Sequence, residues 1–431
     1  MSSELLQNVR VLNPASETDR VADVLIVDGI VKTIAPQVTE MPFETQIQPC
    51  EGLILGPGLV DLYSHSGEPG FEARETLDSL LSAAASGGFT RIAILPDTLP
   101  AIDNPGNLAW LQQKFREVRN QSKTLDKPIS LPHPYFWGAL TLNTKGQQMT
   151  ELRELAAAGV VGFADGQPLQ NLALIRRLLE YGQPLHKPLA LWACNLDLVG
   201  NGVVRDGVIA TQLGLPGNPT IAETSSLASL LEIIATFDTP LHLMRISTAR
   251  GVELIQAAKA KGLPITASTT WMHLLFNDEA LQSYNPNLRL EPPLGDRQDQ
   301  IALIQAVQQG ILDGIAIDHT PYAYEEKTVA FTEAPPGVIG LELALPLLWE
   351  HLVATGTLSA LELWRALSTQ PAQCLHQTPA TLAIGQPAEL TLFDPHCAWK
   401  AETQTLKSLS SNTPWLGQPI AGRVVRIWCP G

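Results

Sequence analysis

The stretch GPGLVDLYSHSGEPG, Gly56–Gly70, is an apolar run that passes through Asp61 and Tyr63 to His65 before a glycine-bounded loop begins. Runs of this kind, short, apolar and closed by polar side chains, recur as TRIAILPD, YFWGALTL, GVVGFAD, LALWACN, LHLMRIS, LPITAST and ILDGIAIDH. Segments of helical period lie between them, among them TLDSLLSAAASGG, SSLASLLEIIATF and RGVELIQAAKAKG, several closed by glycine as a helix C-terminus prefers. Eight strand-helix units make this an α/β chain and predict a closed (β/α)8 TIM-like barrel, in which chemistry collects where the strands end. That rim receives Asp61, His65, Asp97, Asp165, Asn195, Arg245, Ser268, Asp318 and His319. An open doubly wound sheet is the alternative arrangement.

The flanks read differently. Residues 1–53 and 380–431 alternate apolar and polar positions around turn signals such as Asp28-Gly29, as antiparallel strands do. The expectation is a barrel over 54–379 with a small β-sheet domain built from both termini.

Composition narrows the partners. The 431 residues are 45% apolar and 16% charged, with a formal charge of −15 and no concentrated basic patch, which argues against nucleic acid and anionic membranes. Five scattered cysteines without a C-x-x-C pair suggest neither a disulfide framework nor a structural zinc knuckle, so a reducing cytoplasm is expected. The amino terminus lacks the pattern of a signal peptide, and no apolar stretch approaches the ~20 residues of a membrane span. A small-molecule ligand, a protein partner and a homo-oligomer remain as expected associations.

Taken residue by residue, His65, Asp165 and Asp318 are candidate metal ligands, since one imidazole and two carboxylates can hold a zinc ion with an open position. The plain alternative gives each a hydrogen-bonding role in the rim. Ser247 or Thr248 caps the helix after the sixth run. His273 and Cys194 are read as packed residues, and His133, which precedes the third run at the end of the barrel away from the chemistry, as structural.

Several segments in order carry a family likeness: PGLVDLYSHSGEPG, GGFTRIAILPDTLPAIDNP, GVVGFADG, QLGLPGNPTIAE, ISTARGVELIQAAKAKGLPITAS, LEPPLGDRQD, LDGIAIDHTPYAYEEK and IGQPAELTLFDP. Across almost its whole length the chain resembles dihydroorotases of the amidohydrolase superfamily, which close carbamoyl-aspartate to dihydroorotate in pyrimidine synthesis. In that family the first strand ends D-x-H-x-H, and both histidines bind metal; the matching residues are Tyr63 and His65. The resemblance matches a bridging Asp to Asp165, a fifth-strand His to Trp192, a sixth-strand His to Arg245, and the metal-binding Asp of the eighth strand to Asp318.

Three ligand positions are retained, His65, Asp165 and Asp318, and the three lost ones, Tyr63, Trp192 and Arg245, all stand where histidine is expected. Arg245 is a permanent cation. At ~4 Å and an effective dielectric of 20, a unit charge repels another by about 4 kcal/mol and a divalent ion by twice that. Arg245 is therefore expected to replace the metal, pairing with both Asp165 and Asp318, whose carboxylates suit a guanidinium's fixed donors.

The carboxylate clamp that the resemblance implies is altered as well. Its Arg, Asn, His and second Asn correspond to Gly67, Asp97, Tyr322 and Glu291. The extra carboxylates disfavour a dianionic substrate. The sequence thus implies a dihydroorotase-like protein with a degenerate site, an idle Asp318, no required cofactor, and a structural or regulatory role beside a partner such as aspartate transcarbamoylase. The rival reading is a working cyclic amidohydrolase with one zinc on His65, Asp165 and Asp318. A third is a ligand binder with a pocket formed by Tyr63, Trp192, Arg245 and Tyr322.

Overall fold

A computed structural model describes residues 3–123 and 130–430. The eight runs form eight parallel strands, β1 (Leu59–Ser64), β2 (Phe89–Ile94), β3 (His133–Gly138), β4 (Gly162–Ala164), β5 (Leu189–Trp192), β6 (Leu241–Met244), β7 (Ile265–Thr270) and β8 (Gly314–Ala316). Each pairs with its sequence neighbour in one sheet. The two ends meet beyond the regular ladder: Asp318 N donates to Tyr63 O at 3.1 Å, His65 N to His319 O at 2.9 Å, and Ile317 N to Asp61 Oδ1 at 2.9 Å. Asp61, a buried carboxylate, thus closes the barrel and takes no part in the cleft.

Alternation along the strands divides the core. Val60, Leu62, Ala93, Leu95, Ala164, Ala190, Met244 and Ala316 belong to one buried cluster, whereas Leu59, Phe89, Ile92 and Ile94 pack with the surrounding helices. Trp137 fills part of the first cluster and donates from Nε1 to Leu62 O at 3.0 Å, so its single polar atom is satisfied where no water reaches.

The termini build a second sheet in the order 419–428, 390–400, 54–57, 3–13, 18–27, 30–35, with 46–49 alongside 3–13. The hairpin between Val27 and Ile30 turns through Asp28 (φ 49°) and Gly29 (φ 72°), the left-handed pair a two-residue hairpin requires. Ile54–Pro57 is a strand of this sheet, so the sheet extends four residues past the expected boundary at 53 before the chain enters β1. Its Gly56 is fixed by packing: a Cβ there would stand 2.3 Å from the Trp364 indole nitrogen. The connection between the last two strands, residues 401–418, returns to the barrel rim. Its Asn412 accepts from Tyr322 N at 3.1 Å and donates to Thr320 O at 2.9 Å, tying the terminal domain to the loop after β8.

Candidate active site

The strand ends open into a cleft of about 150 Å³ whose walls include His65, Gly67, Phe71, Arg74, Asp97, Trp192, Arg245, Glu291, Asp318 and Tyr322. At its floor lies an ion pair. Arg245, the residue after β6, donates from Nε to Asp318 Oδ2 at 2.8 Å and from Nη2 to Asp318 Oδ1 at 2.6 Å, while Nη1 donates to Gly166 O at 2.9 Å. The guanidinium carbon lies 4.9 Å from the centroid of Trp192, the last residue of β5. Both side chains of the pair are largely buried, 5% and 14% exposed.

Tyr63 explains how the pair is held. Arg245 (φ 57°) and Asp318 (φ 52°) both adopt left-handed backbone conformations, which are uncommon for any residue but glycine. Tyr63 O accepts Asp318 N, and Tyr63 Oη accepts Arg245 N at 3.1 Å, so one residue of β1 anchors both strained positions. The phenol lies 3.0 Å from Ser268 Oγ, which lies 2.9 Å from His242 Nε2. Burial pushes the His242 pKa down to about 3, which keeps this ring neutral within the network. The expected pocket of Tyr63, Trp192, Arg245 and Tyr322 is therefore corrected: Tyr63 is fully buried behind Arg245, and the other three line the cleft.

His65 stands over the pair. Its Nδ1 is 2.6 Å from Asp97 Oδ2, and its Nε2 is 3.6 Å from Asp318 Oδ1 and 3.3 Å from Arg245 Nη2. Burial works against a charge on this ring, but Asp97 and Asp318 outweigh it and raise its pKa to about 9. A charged His65 carries hydrogen on both nitrogens, so its approach to Arg245 is that of two donors sharing Asp318. Burial would lift the Asp318 pKa, yet the Arg245 charge and the His65 hydrogen bond hold it well below the usual carboxylate range.

Asp165 departs from expectation. The anticipated ion pair with Arg245 is not formed; Asp165 Oδ1 accepts Thr141 N at 3.0 Å and Oδ2 accepts Thr141 Oγ1 at 2.5 Å. Its carboxylate fixes the loop after β3, and burial raises its pKa to about 6. Only the next carbonyl, Gly166 O, reaches the guanidinium. His319 also turns away, with Nε2 3.3 Å from Glu75 Oε2 and Nδ1 accepting Gly340 N at 3.1 Å. Among the described residues, no group of three His, Cys, Asp or Glu side chains is arranged to hold a metal ion.

The two carboxylates expected to burden the cleft are compensated. Asp97 has His65, and Glu291 Oε1 lies 3.2 Å from Arg289 Nη2. Nor is the cleft without an arginine in the clamp region. Arg74 pairs with Glu326 through two bonds, and its guanidinium carbon lies 4.6 Å from the Phe71 centroid and 4.9 Å from that of Tyr322. Burial, with Glu326, Asp97 and Glu291 nearby, pushes the Tyr322 phenol up to about 12 despite Arg74. Arg74 and Phe71 were missed by motif reading because they sit in a loop whose path the alternating pattern does not define. Thr248 accepts Gly251 N at 2.9 Å as the expected cap, while His273 and Cys194 are buried.

The eight-stranded parallel barrel with a second sheet built from both termini is a fold shared with hydantoinases. The L-hydantoinase (dihydropyrimidinase) from Arthrobacter aurescens shares this fold with a TM-score of 0.83 at 21% identity, over 99% of this chain and 94% of that one. A "Dihydro-orotase-like" family profile matches residues 52–250. The chain is 43% identical to a "Probable dihydroorotase-like protein" of Synechocystis sp. (strain ATCC 27184 / PCC 6803 / Kazusa), over 99% of both chains. It is 36% identical to a dihydroorotase of Pelobacter propionicus (strain DSM 2379 / NBRC 103807 / OttBd1), over 98% of this chain and 96% of that one. The chain belongs to the dihydroorotase-like family.

Proposed function

We propose that this chain is a dihydroorotase-like protein of pyrimidine biosynthesis without dihydroorotase activity, in which Arg245 takes the place of the metal and the barrel serves as a structural or regulatory partner. Aspartate transcarbamoylase is the partner that the family likeness suggests. The observation that carries the reading is the two-bond pairing of the Arg245 guanidinium with Asp318 at 2.8 and 2.6 Å.

The donor set supports it. Of the three retained ligand positions, Asp318 is bound to a guanidinium, Asp165 to Thr141, and His65 to Asp97. Tyr63 and Trp192 offer a phenol already engaged and an indole face, neither of them a normal zinc donor. These residues do not fit a divalent ion, which would have to displace a fixed positive charge. A guanidinium balances carboxylate charge but does not generate hydroxide from water as zinc does.

Metal analysis of the purified chain after overexpression in zinc-supplemented medium tests this directly. Substoichiometric metal, removed by dialysis against a chelator without loss of fold, is the expected result. One tightly held zinc per chain would instead favour a working site on His65, Asp165 and Asp318.

A further inference from the structure

A helix on the outside of a barrel normally turns charged side chains to water. Arg116 and Glu117 do so on helix Pro105–Lys123, Arg176 and Arg177 on Leu172–Gly182, and Arg250 and Glu253 on Ala249–Ala260. Of the described helices with ten or more residues, only Leu77–Ser86 and Ile221–Ile234 contain neither lysine nor arginine. Leu77–Ser86 is covered, packing against strand Pro419–Trp428 of the terminal sheet. Ile221–Ile234 is open, with Ile221, Ser225 and Ala228 exposed along its outer face.

That face needs little water. Ser225 Oγ donates to Ile221 O at 2.6 Å and Ser229 Oγ to Ser225 O at 3.0 Å, so both hydroxyl hydrogens are satisfied within the helix. Glu223 turns inward and accepts from Ser247 and Thr248, which leaves Glu232 as the outward charge of the helix. The apolar surface continues past the helix start. Asn195 N donates to Ala222 O at 2.8 Å and Leu196 N to Gln170 Oε1 at 3.0 Å, which joins the loop carrying Leu196 and Leu198 to Ile221 on one side and Leu172 on the other. These four side chains are between 39% and 56% exposed, and a contiguous apolar patch with satisfied polar neighbours marks an interaction surface.

Charge decides the occupant. With a formal charge of −15, two copies of this chain repel each other except across a face of low charge. Beside the patch, Arg176 and Arg177 are exposed and form no ion pair among the described residues; the same holds for Asp197 and Glu232 on it. Two cations and two anions around one apolar patch suit a two-fold axis, across which each copy's arginines meet the other's carboxylates. We propose that helix Ile221–Ile234 and the loop at Leu196 form a two-fold interface with a second copy of this chain. The inference goes beyond the reading of the cleft and does not depend on whether a metal binds there.

Sedimentation equilibrium of the full chain tests it. Twice the chain mass is expected in the micromolar range. Ala228→Arg and Leu196→Lys should each weaken self-association by at least about a hundredfold, because every dimer would bury two uncompensated charges. Arg176→Glu/Arg177→Glu should weaken it about tenfold, since cations facing carboxylates become like charges. Ile301→Lys, at a 45% exposed position on helix Arg297–Gln308, should leave the mass unchanged. Far-UV circular dichroism checks that each variant is folded, and Leu196→Lys, in the loop after β5, keeps the test decisive if Ala228→Arg is not. Monomers throughout the micromolar range, or dimers indifferent to both Ala228→Arg and Leu196→Lys, would overturn the proposal. A monomer that binds a different protein through this face would overturn it as well, in favour of another kind of partner.

Discussion

Arg245→Met is expected to destabilise the fold by about 3–5 kcal/mol, because it leaves Asp318 a buried carboxylate with its main partner removed. His65, 3.6 Å away, remains to offset part of that loss, which places the result toward the lower end of the range. The carbonyl of Gly166 also loses its donor, and Trp192 loses the cation beside its ring. Urea denaturation followed by tryptophan fluorescence and far-UV circular dichroism measures the change. The double variant Arg245→Met/Asp318→Asn should recover a large part of it, since removing both charges spares the desolvation of either one alone. By contrast Arg250→Ala, which breaks the exposed pair with Glu253, should cost no more than about 1 kcal/mol. If Arg245→Met unfolded at the wild-type midpoint, the pair would not be the structural centre of the rim.

Gly67→Arg is the second large effect. It would write back the arginine that the family resemblance implies at this position, yet a Cβ here would stand 2.4 Å from Glu75 O, 2.6 Å from Phe71 O and 2.8 Å from Glu75 N. All three are backbone atoms of the loop that carries Arg74, so the loop itself must move. Overpacking of this kind costs about 1–3 kcal/mol or more, and the upper end is expected because no flexible side chain can yield. The variant should therefore lose stability and gain no affinity for N-carbamoyl-L-aspartate, as read by chemical denaturation and calorimetry. A stable variant that bound the dianion would contradict the expectation that Gly67 is fixed by its backbone neighbours.

The barrel was legible because strand and helix signals are local: eight short apolar runs, the intervening helical segments and their glycine stops each declare themselves within about a dozen residues. Asp28-Gly29 likewise marks its hairpin in two residues. The rim was legible only where one residue's chemistry is decisive. Arg245 in MRIST is a fixed cation whatever surrounds it, so its partnership with Asp318 follows from charge and strand position. The fate of Asp165 did not follow, because Thr141, which takes both oxygens, lies on the preceding strand's loop 24 residues away. The role of Tyr63 depends on contacts with Arg245 and Ser268, 182 and 205 residues distant, and on two backbone conformations that no motif records. Arg74 reaches the cleft through the path of a loop, which periodicity leaves undetermined.

The most direct test of the account is a turnover assay of the purified chain with N-carbamoyl-L-aspartate and dihydroorotate, in both directions, with and without added zinc and with a chelator. The account predicts no conversion above the uncatalysed background under any of these conditions, because a guanidinium bound to Asp318 supplies no hydroxide. Conversion at an ordinary enzymatic rate that the chelator abolishes would contradict it.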